Sequence, residues 1–486
     1  MAECERKKLQ TEEKKRKNTR KKNPEIIGIT VGFTALFLVM MGYLVFYSVS
    51  HKEELFNNSY NNRQQIVNAQ NRRGSIYAAG GEILAQTVVD EEGKEQRVYP
   101  YDNLFAHAVG YTGKGKSGVE EQMNYDLVQS GIPATEKVRN ELIGEKNPGD
   151  NVYTTLDVTV QEAASKAMGI YKGAIIAIEP STGRIVAMVS KPDFDPNKIA
   201  TLWDDLIADE ESGTLLNRTT QGLYPPGSTF KIVTTLEYIR ENPDTYQNYS
   251  YNCTGHFEYE GDRINCYHGS KHGKVDLKKS FAKSCNSSFA NIGIGLDRTK
   301  FVRTMDSLLF NKELPLDCKY NQSNIVLDED TAPDQMMQNA IGQGKTQITP
   351  IQLAMITSAI ANNGELMKPY MIDRVETVSG NKVKHFLPAK YGRLMTEEEA
   401  AILKEYMEEV VESGTGTKLS GLSYTAAGKT GSAEFGLNKL ESHAWFTGFA
   451  PVEDPRLVVT VIIEGAGSGG DYAVPMAKRV FDAYFS

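Results

Sequence analysis

The chain has 486 residues, of which 40% are hydrophobic and 24% are charged, and its formal net charge is −8 at pH 7. This composition excludes a wholly disordered or fibrous protein, and the mild acidity argues against a nucleic-acid-binding protein. The charge is unevenly placed, because residues 1–25 hold ten Lys and Arg against five Glu, whereas the remaining residues hold 44 basic and 57 acidic ones. A basic arm therefore precedes an acidic body.

A run of 24 residues without a charged side chain, Ile26 to Val49, separates the arm from the body. As a helix it would be about 36 Å long, which is enough to cross a bilayer. The run is longer than a signal-peptide core and leads into no small-residue cleavage site, so we predict an uncleaved anchor. The basic clusters at Lys14–Lys17 and Arg20–Lys22 predict a cytoplasmic N-terminus and an extracytoplasmic body.

Two regions with different sequence patterns follow the anchor. Residues 50–150 join a polar stalk to short β-like runs broken by glycines, which indicates a small mixed domain. Residues 151–486 have strand-like runs at both ends and helical patterns between them, which indicates one α+β domain. The elements predicted in this second region are a capped helix over 154–168, a hairpin of strands 173–180 and 183–190, a hairpin over 444–464 and a helix over 473–485.

The glycine-rich segment Gly465–Gly470 fits the G-x-G-x-x-G pattern of a dinucleotide site. Such a site also needs a following parallel strand and an acidic residue about 20 positions later, whereas 16 residues follow Gly470. We therefore interpret the segment as a flexible turn and predict no NAD site.

The motif Ser-x-x-Lys occurs three times, so the motif by itself does not identify a site. Ser228 ends an irregular Pro-Pro-Gly segment and begins an apolar repeat of helical period, which places it in the first turn of a buried helix. Lys231 lies one turn on, and a desolvated lysine can act as the base that activates a serine. By contrast, the pattern around Ser280–Lys283 predicts one face of a helix, and that around Ser379–Lys382 predicts a surface turn.

Two further motifs lie in the same region. Ser284 and Asn286 stand between two helix-like stretches, where the hydroxyl could relay a proton and the amide could position a substrate, although a buried polar helix junction is an open alternative.

The second motif lies on a predicted strand, which could present a cation and hydroxyls to an anionic substrate, and its glycine would let a ligand backbone approach. The residues of this strand motif are Lys429, Thr430, Gly431 and Ser432.

Of the five cysteines, Cys253 and Cys266 would close a 14-residue loop. In an extracytoplasmic body we predict that these two form a disulfide. The same pair with His268 and His272 could instead bind zinc, but the spacing matches no standard zinc site. Cys285, next to Ser284, is interpreted as a small buried residue.

Taken together, these motifs resemble the class B penicillin-binding protein transpeptidases. The segments that carry the resemblance are Tyr224–Lys231, Gly342–Gly344 with Thr349–Ala354, Gly428–Glu434 and His443–Pro451. Residues 73–85 resemble, more weakly, the non-catalytic pedestal of that family. The resemblance implies an α+β penicillin-binding or serine β-lactamase-like domain, an antiparallel sheet flanked by helices, after a pedestal and one transmembrane helix. The divisions it implies are a cytoplasmic tail over 1–25, an anchor over 26–49, a pedestal over 50–150 and a transpeptidase domain over 151–486.

The resemblance also implies a role for each motif residue. Ser228 would attack the carbonyl between the terminal D-alanines of a peptidoglycan stem peptide, Lys231 would take its proton, and Ser284 would help protonate the leaving D-alanine. Asn286 would hold a substrate amide, and a β-lactam would be trapped on the serine. The residues implied for the substrate carboxylate are Lys429, Thr430 and Ser432, with the amides of Ser228 and Ser432 at the oxyanion. No metal or organic cofactor is implied.

Two other functions remain open at this point, a membrane-anchored β-lactamase and a non-enzymatic β-lactam sensor. β-Lactamases usually have neither anchor nor pedestal, and sensors usually have several transmembrane helices with a cytoplasmic effector. We therefore favour the transpeptidase, with peptidoglycan stem peptides and β-lactams as ligands. Its expected partners are a polytopic membrane glycosyltransferase and other cell-wall machinery. We expect no binding to nucleic acid.

Overall fold

The computed structural model of the chain describes residues 2–18, 24–57, 63–209, 211–435 and 441–486. The chain divides into two units, Met1–Val67 and Asn68–Ser486. The basic cluster Arg20–Lys22 lies outside the described residues. The first three helices are α1 (Ala2–Asn18), α2 (Pro24–Ser50) and α3 (Lys52–Asn57).

Helix α2 contains the predicted anchor and extends it by two residues at the N-terminal end and one at the C-terminal end. The helix is 27 residues long, and none of its side chains is buried. Its mean hydropathy reaches 2.2, and it is the one helix among the described residues that is long and apolar enough to cross a membrane. An uncovered apolar surface of this length requires contact with lipid or protein, which agrees with membrane anchoring.

The remaining helices begin with one that runs across the division between the units. In chain order they are α4 (Arg63–Gln70), α5 (Gly118–Gln122), α6 (Asn124–Val128), α7 (Ala134–Ile143), α8 (Val158–Met168), α9 (Ile199–Ala208), α10 (Lys231–Glu241), α11 (Leu277–Ala282), α12 (Asn286–Gly295), α13 (Arg298–Ser307), α14 (Pro333–Ala340), α15 (Pro350–Ala361), α16 (Glu397–Glu412) and α17 (Ala473–Phe485). Helix α8 begins later than predicted, because the Asp157 carboxylate accepts a hydrogen bond from the Val160 amide at 2.9 Å and caps it there.

The strands form several sheets, two of which organise the second unit. In chain order the strands are β1 (Asn71–Arg72), β2 (Ile76–Tyr77), β3 (Ile83–Val89), β4 (Glu95–Val98), β5 (Asn147–Pro148), β6 (Asn151–Thr154), β7 (Gly173–Ile178), β8 (Ile185–Lys191), β9 (Tyr251–Cys253), β10 (His256–Tyr259), β11 (Asp262–Asn265), β12 (Gly273–Val275), β13 (Glu365–Met367), β14 (Ile372–Glu376), β15 (Lys382–His385), β16 (Lys390–Arg393), β17 (Ala427–Phe435), β18 (Glu441–Ala450) and β19 (Leu457–Ile463).

The first main sheet has the order β15-β14-β6-β2-β3-β4 and includes strands from both sides of residue 150. Strand β6 pairs in parallel with β2 and antiparallel with β14, so the pedestal sheet extends into the predicted catalytic region. Beside this sheet the fully buried Glu120 accepts hydrogen bonds from Arg73 at 2.6 Å and Arg97 at 2.7 Å. Although burial raises the pKa of Glu120, the two guanidinium groups hold it below its usual value.

The second main sheet is antiparallel throughout, in the order β17-β18-β19-β7-β8. It confirms the predicted fold class of an antiparallel sheet flanked by helices. Strands β7 and β19 are buried along their whole length, because helices cover both faces. Side chains of β7 alternate between two apolar cores: Ile176 and Ile178 lie in one, and Ile175 and Ala177 in the other. The second core holds α8 and α17, and α15, buried over all twelve residues, packs in the first.

Candidate active site

A short 3-10 turn, Gly227–Phe230, carries Ser228 and leads directly into α10. This agrees with the prediction that Ser228 lies at the start of a buried helix. Gly227 has φ of +53°, and a Cβ atom there would lie 2.9 Å from the Ser432 carbonyl oxygen and 2.9 Å from the Ala433 Cβ. Only glycine tolerates both conditions. Gly227 therefore allows the turn to approach β17 closely enough to place Ser228 beside the strand motif.

Lys231 is fully buried, and its ammonium nitrogen lies at the centre of the site. The Nζ–Oγ distance to Ser228 is 3.0 Å and that to Ser284 is 3.2 Å. Two carbonyl-type oxygens are closer, the Ser284 backbone oxygen at 2.8 Å and Asn286 Oδ1 at 2.7 Å. The residues predicted from two separate motifs therefore surround one amine.

Burial lowers the pKa of both lysines in the site. It lowers the pKa of Lys231 to about 7, because the charged amine is removed from water. Lys429 is also fully buried, and burial together with the charge of Lys231 lowers its pKa well below the usual value. A neutral amine has two N–H donors and one lone pair. When Lys231 is neutral, its two donors go to the Ser284 carbonyl and Asn286 Oδ1, which can only accept, and its lone pair is available to the hydroxyl of Ser228 or of Ser284.

Ser284 connects the two lysines. Its Oγ atom lies 3.0 Å from the Lys429 Nζ and 3.2 Å from the Lys231 Nζ, and Lys429 also donates to the Thr430 backbone oxygen at 3.0 Å. The backbone of Ser284 has φ of +54°, in the left-handed region that a residue with a Cβ adopts at a cost. The contacts on both sides hold the hydroxyl in place between the two amines.

A cavity of about 640 Å³ opens in front of these groups. Its lining includes the candidate side chains Ser228, Ser284, Asn286, Thr430 and Ser432. Gly431 also lines the cavity, but a Cβ there would lie 3.1 Å from the side chains of Thr229 and Trp445. The missing side chain therefore makes room for packing of β17 against the Ser228 turn, and the close approach of a ligand to Gly431 stays a prediction.

The serines of the other two Ser-x-x-Lys motifs do not line this cavity, although Lys283 does. The Ser280 hydroxyl is buried and accepts a hydrogen bond from the Ser288 hydroxyl at 2.8 Å, and Lys283 donates to the Ser413 backbone oxygen. Ser379 is exposed in the turn between β14 and β15. Neither serine has its motif lysine as a hydrogen-bond partner among the contacts that the described residues make.

Sequence reasoning missed two parts of the cavity wall. The Thr415 hydroxyl lies 2.5 Å from the Thr430 hydroxyl, and both residues line the cavity. The glycine-rich segment contributes as well, because the Gly469 amide donates to Ser432 Oγ at 3.4 Å. A Cβ on Gly469 would lie 2.4 Å from the Gly431 carbonyl oxygen, so this glycine is required for close packing on β17. Neither contact has a signal in the local sequence.

The predicted Cys253–Cys266 disulfide is wrong for this structure, in which both cysteines are free and their sulfur atoms lie 3.7 Å apart. A disulfide requires a separation of about 2.05 Å. The two cysteines instead form a four-residue group with His272 and Cys285, whose potential ligand atoms all lie within 4.8 Å of one another. We call this group the cysteine–histidine cluster. It includes Cys285 and omits His268, unlike the zinc alternative considered from the sequence.

Comparisons with known proteins agree with this architecture. The penicillin binding protein transpeptidase domain matches residues 173–482, and the penicillin binding protein A dimerisation domain matches residues 73–152. The chain is 29% identical to the peptidoglycan D,D-transpeptidase PbpA of Mycolicibacterium smegmatis over 491 residues, covering 95% of this chain and 99% of that protein.

Two solved structures extend the comparison to three dimensions. The D,D-transpeptidase domain of a peptidoglycan glycosyltransferase from Eggerthella lenta has a TM-score of 0.78 at 30% identity, covering 86% of this chain and 99% of that one. Penicillin-binding protein A of M. tuberculosis, solved as its ceftriaxone acyl-enzyme, has a TM-score of 0.78 at 27% identity with the same coverages. The fold is thus that of an acyl-enzyme-forming transpeptidase. The chain belongs to the penicillin-binding protein transpeptidase family, within class B, and is an enzyme of cell-wall synthesis.

Proposed function

We propose that this enzyme crosslinks peptidoglycan stem peptides through an acyl-enzyme on Ser228, with release of the terminal D-alanine. The observation that carries the proposal is the set of four oxygens around the Lys231 amine. Two of them, at 2.7 and 2.8 Å, can only accept hydrogen bonds, so a neutral amine keeps its lone pair for a serine hydroxyl, with Ser228 at 3.0 Å and Ser284 at 3.2 Å. An amine placed in this way, with a pKa near 7, is suited to remove the serine proton at the moment of attack.

In the acylation step, Ser228 Oγ attacks the carbonyl carbon between the two D-alanines, and its proton passes to Lys231. The amides of Ser228 and Ser432 are the proposed donors to the oxyanion. The close approach of the Gly227 turn to Ser432, which a Cβ would block, supports this pairing. A β-lactam carbonyl enters the same position, and its ring nitrogen takes the place of the leaving amine.

Ser284 is the proposed path for the proton to the leaving D-alanine nitrogen. Its hydroxyl is within 3.2 Å of Lys231 and 3.0 Å of Lys429, so a proton can pass from the first lysine without a large movement. An amine of a neighbouring strand then attacks the acyl-enzyme, its proton returns along the same path, and the crosslink forms as Ser228 is released.

The substrate carboxylate is proposed to bind at the hydroxyls of Thr430 and Ser432, which line the cavity on β17. Lys429, whose Nζ contacts the Thr430 carbonyl oxygen, would favour this anion in its protonated form, and the bound anion would in turn raise the pKa of the amine. The Asn286 side chain has its oxygen on Lys231 and donates from Nδ2 to the Asn265 carbonyl oxygen at 3.1 Å. It would hold the substrate amide from the opposite wall.

We propose the predicted divisions as the working organisation of the chain: tail 1–25, anchor 26–49, pedestal 50–150 and transpeptidase domain 151–486. The apolar helix α2 and the basic residues before it support a single-pass anchor with the N-terminus in the cytoplasm. Crosslinking needs glycan strands that already carry stem peptides. A membrane-embedded glycosyltransferase, working beside the anchor with other cell-wall proteins, is the proposed source of those strands.

The test is to label the full chain in detergent with a fluorescent penicillin and to map the modified peptide. Label is expected on Ser228 and lost in Ser228→Ala, whereas Ser379→Ala, in the exposed copy of the same motif, should label like the wild type. A pentapeptide donor should then exchange its terminal D-alanine for a labelled D-amino acid. Label on another residue contradicts the nucleophile assignment. An adduct that hydrolyses within seconds indicates a β-lactamase, and a stable adduct without exchange indicates a sensor.

A further inference from the structure

The outer edge of β17, on the side away from β18, borders the active-site cavity. Glu434 directs its backbone N–H and C=O to this outer side, where they meet the side chain of Gln343. The backbone groups of a strand in an antiparallel sheet alternate between its two sides, so Thr430 and Ser432 direct theirs to the outer side as well. An extended peptide in the cavity could therefore add to β17 as a further strand.

The side-chain amide of Gln343 occupies this edge at Glu434. In the orientation that satisfies both of its ends, the amide nitrogen donates to the Glu434 carbonyl oxygen at 3.3 Å, and the amide oxygen accepts from the Glu434 N–H at 3.1 Å. A side-chain amide has the same kinds of donor and acceptor as a peptide group, so this pair repeats the two hydrogen bonds of antiparallel strands. Glu434 thus already has the partners that an added strand would supply.

The loop that carries Gln343 is held in place from two sides. The Gln343 N–H donates to the Gln338 carbonyl oxygen, in the last turn of α14, at 2.9 Å, and the Gly342 carbonyl oxygen accepts from the Gly227 N–H at 2.8 Å. Gly342 has φ of +73°, and a Cβ there would lie 2.1 Å from the Gly227 carbonyl oxygen. The loop is therefore packed on the turn that carries Ser228, and Gln343 reaches β17 from a fixed position.

The edge has a second occupied position on the other side of Ser432. There the Thr430 carbonyl oxygen accepts the hydrogen bond from Lys429 Nζ at 3.0 Å. Ser432 lies between the two occupied residues, Thr430 and Glu434, and its backbone groups point to the same outer side as theirs. Between these two positions the edge that a peptide can use is one residue long.

We propose that Gln343 limits the backbone pairing of the stem peptide with β17 to one residue, the D-alanine whose carbonyl is attacked. This inference rests on the proposed function, in which the Ser432 N–H donates to that carbonyl oxygen; the D-alanine N–H then donates to the Ser432 carbonyl oxygen. In an antiparallel strand the residue two positions earlier would meet Glu434, but Gln343 holds both groups there. The peptide leaves the strand at this point. Gln343 thereby confines backbone recognition to the end of the stem peptide and is a specificity-determining residue.

The test compares two donors in the D-amino acid exchange assay, with the full chain in detergent. Both are acetylated four-residue peptides that end in D-Ala-D-Ala, and in one of them an ester oxygen replaces the N–H of the first residue, which would meet Glu434. In the wild type the two kcat/KM values should agree within about twofold, because Gln343 already bonds Glu434. In Gln343→Ala the amide donor should exceed the ester donor by about 3- to 10-fold, since its N–H gains the Glu434 carbonyl oxygen. The matched control is Gln347→Ala, outside the cavity lining, which should keep the wild-type ratio.

A second variant separates this role from support of the fold. Gln343→Met fills a similar space without the amide, so it should show the same preference for the amide donor and be acylated by penicillin within about threefold of the wild-type rate. A wild type that prefers the amide donor by more than about threefold, or Gln343 variants without that preference, overturns the inference. Loss of penicillin acylation in Gln343→Met also overturns it, because the glutamine would then only support the Ser228 turn. Wild-type chain that is not labelled on Ser228 contradicts the proposed function instead, so the two failures are distinguishable.

Discussion

The rate at which penicillin acylates Ser228 should rise with pH and level off above about pH 7. Only the neutral form of Lys231 can take the serine proton, and burial lowers the pKa of this amine to about 7. About half of the molecules then have the neutral amine at pH 7, compared with about one in 3,000 at the usual pKa of 10.5. At pH 5 the neutral fraction falls to about one in a hundred. Acylation at pH 5 should therefore be about 100-fold slower than at pH 9.

The assay is the second-order rate constant for labelling by fluorescent penicillin, measured on the full chain from about pH 5 to 9 at constant ionic strength. Lys231→Arg keeps a cation in the site but cannot act as a base, so it should be slower by about 10²- to 10⁴-fold. Lys382→Arg, in the exposed copy of the motif, should keep the wild-type profile. A wild-type profile that is flat over this range, or that still rises steeply at pH 9, would refute the assignment of Lys231 as the base.

Three other substitutions test the packing around the site and the pedestal. Gly227→Ala should lower the free energy of unfolding by about 1–3 kcal/mol and slow labelling, because the new Cβ meets β17. The control is Gly261→Ala, which is also at positive φ but in open space and should slow labelling little. Equal effects of the two substitutions on labelling would contradict this explanation. Glu120→Gln should lower the free energy of unfolding by about 3–5 kcal/mol in denaturant titrations, because two largely covered arginines lose the counter-charge of a buried carboxylate. A loss below about 1 kcal/mol would contradict this explanation. Thr415→Val should slow acylation about fivefold, since the Thr430 hydroxyl loses its partner at 2.5 Å, and an unchanged rate would remove Thr415 from the carboxylate site.

Local features of the catalytic domain could be predicted from the sequence because their causes are local. Ser228 and Lys231 are three residues apart, so the helical period alone places them side by side. The hairpin predicted over 173–190 corresponds to β7 and β8, because continuous apolar runs with a turn between them have few other stable arrangements. The helix over 473–485 has the bounds that its apolar spacing indicated.

Contacts between distant segments could not be predicted in the same way. Ser284 and Lys429 are 145 positions apart, and only the packing of the junction between α11 and α12 beside β17 brings their side chains together. The four residues of the cysteine–histidine cluster come from four separate segments, and their spacing follows no repeated motif. Cys285 was therefore explained by its small size alone. The start of α8 was missed for a different reason, because Asp157 and not Thr154 supplies the cap.

The pedestal sheet, which takes β14 and β15 from far along the chain, limits how this protein can be divided. A gene fragment that begins at residue 151 would keep β6 but lose β2, β3 and β4, leaving a row of unpaired backbone groups along β6. A fragment that ends at residue 150 would lose β6, β14 and β15 from the same sheet. Recombination at this point would give two incomplete halves. A chimera that exchanges the pedestal with a relative should therefore exchange residues 151–154 and 372–385 as well, so that the whole sheet comes from one parent.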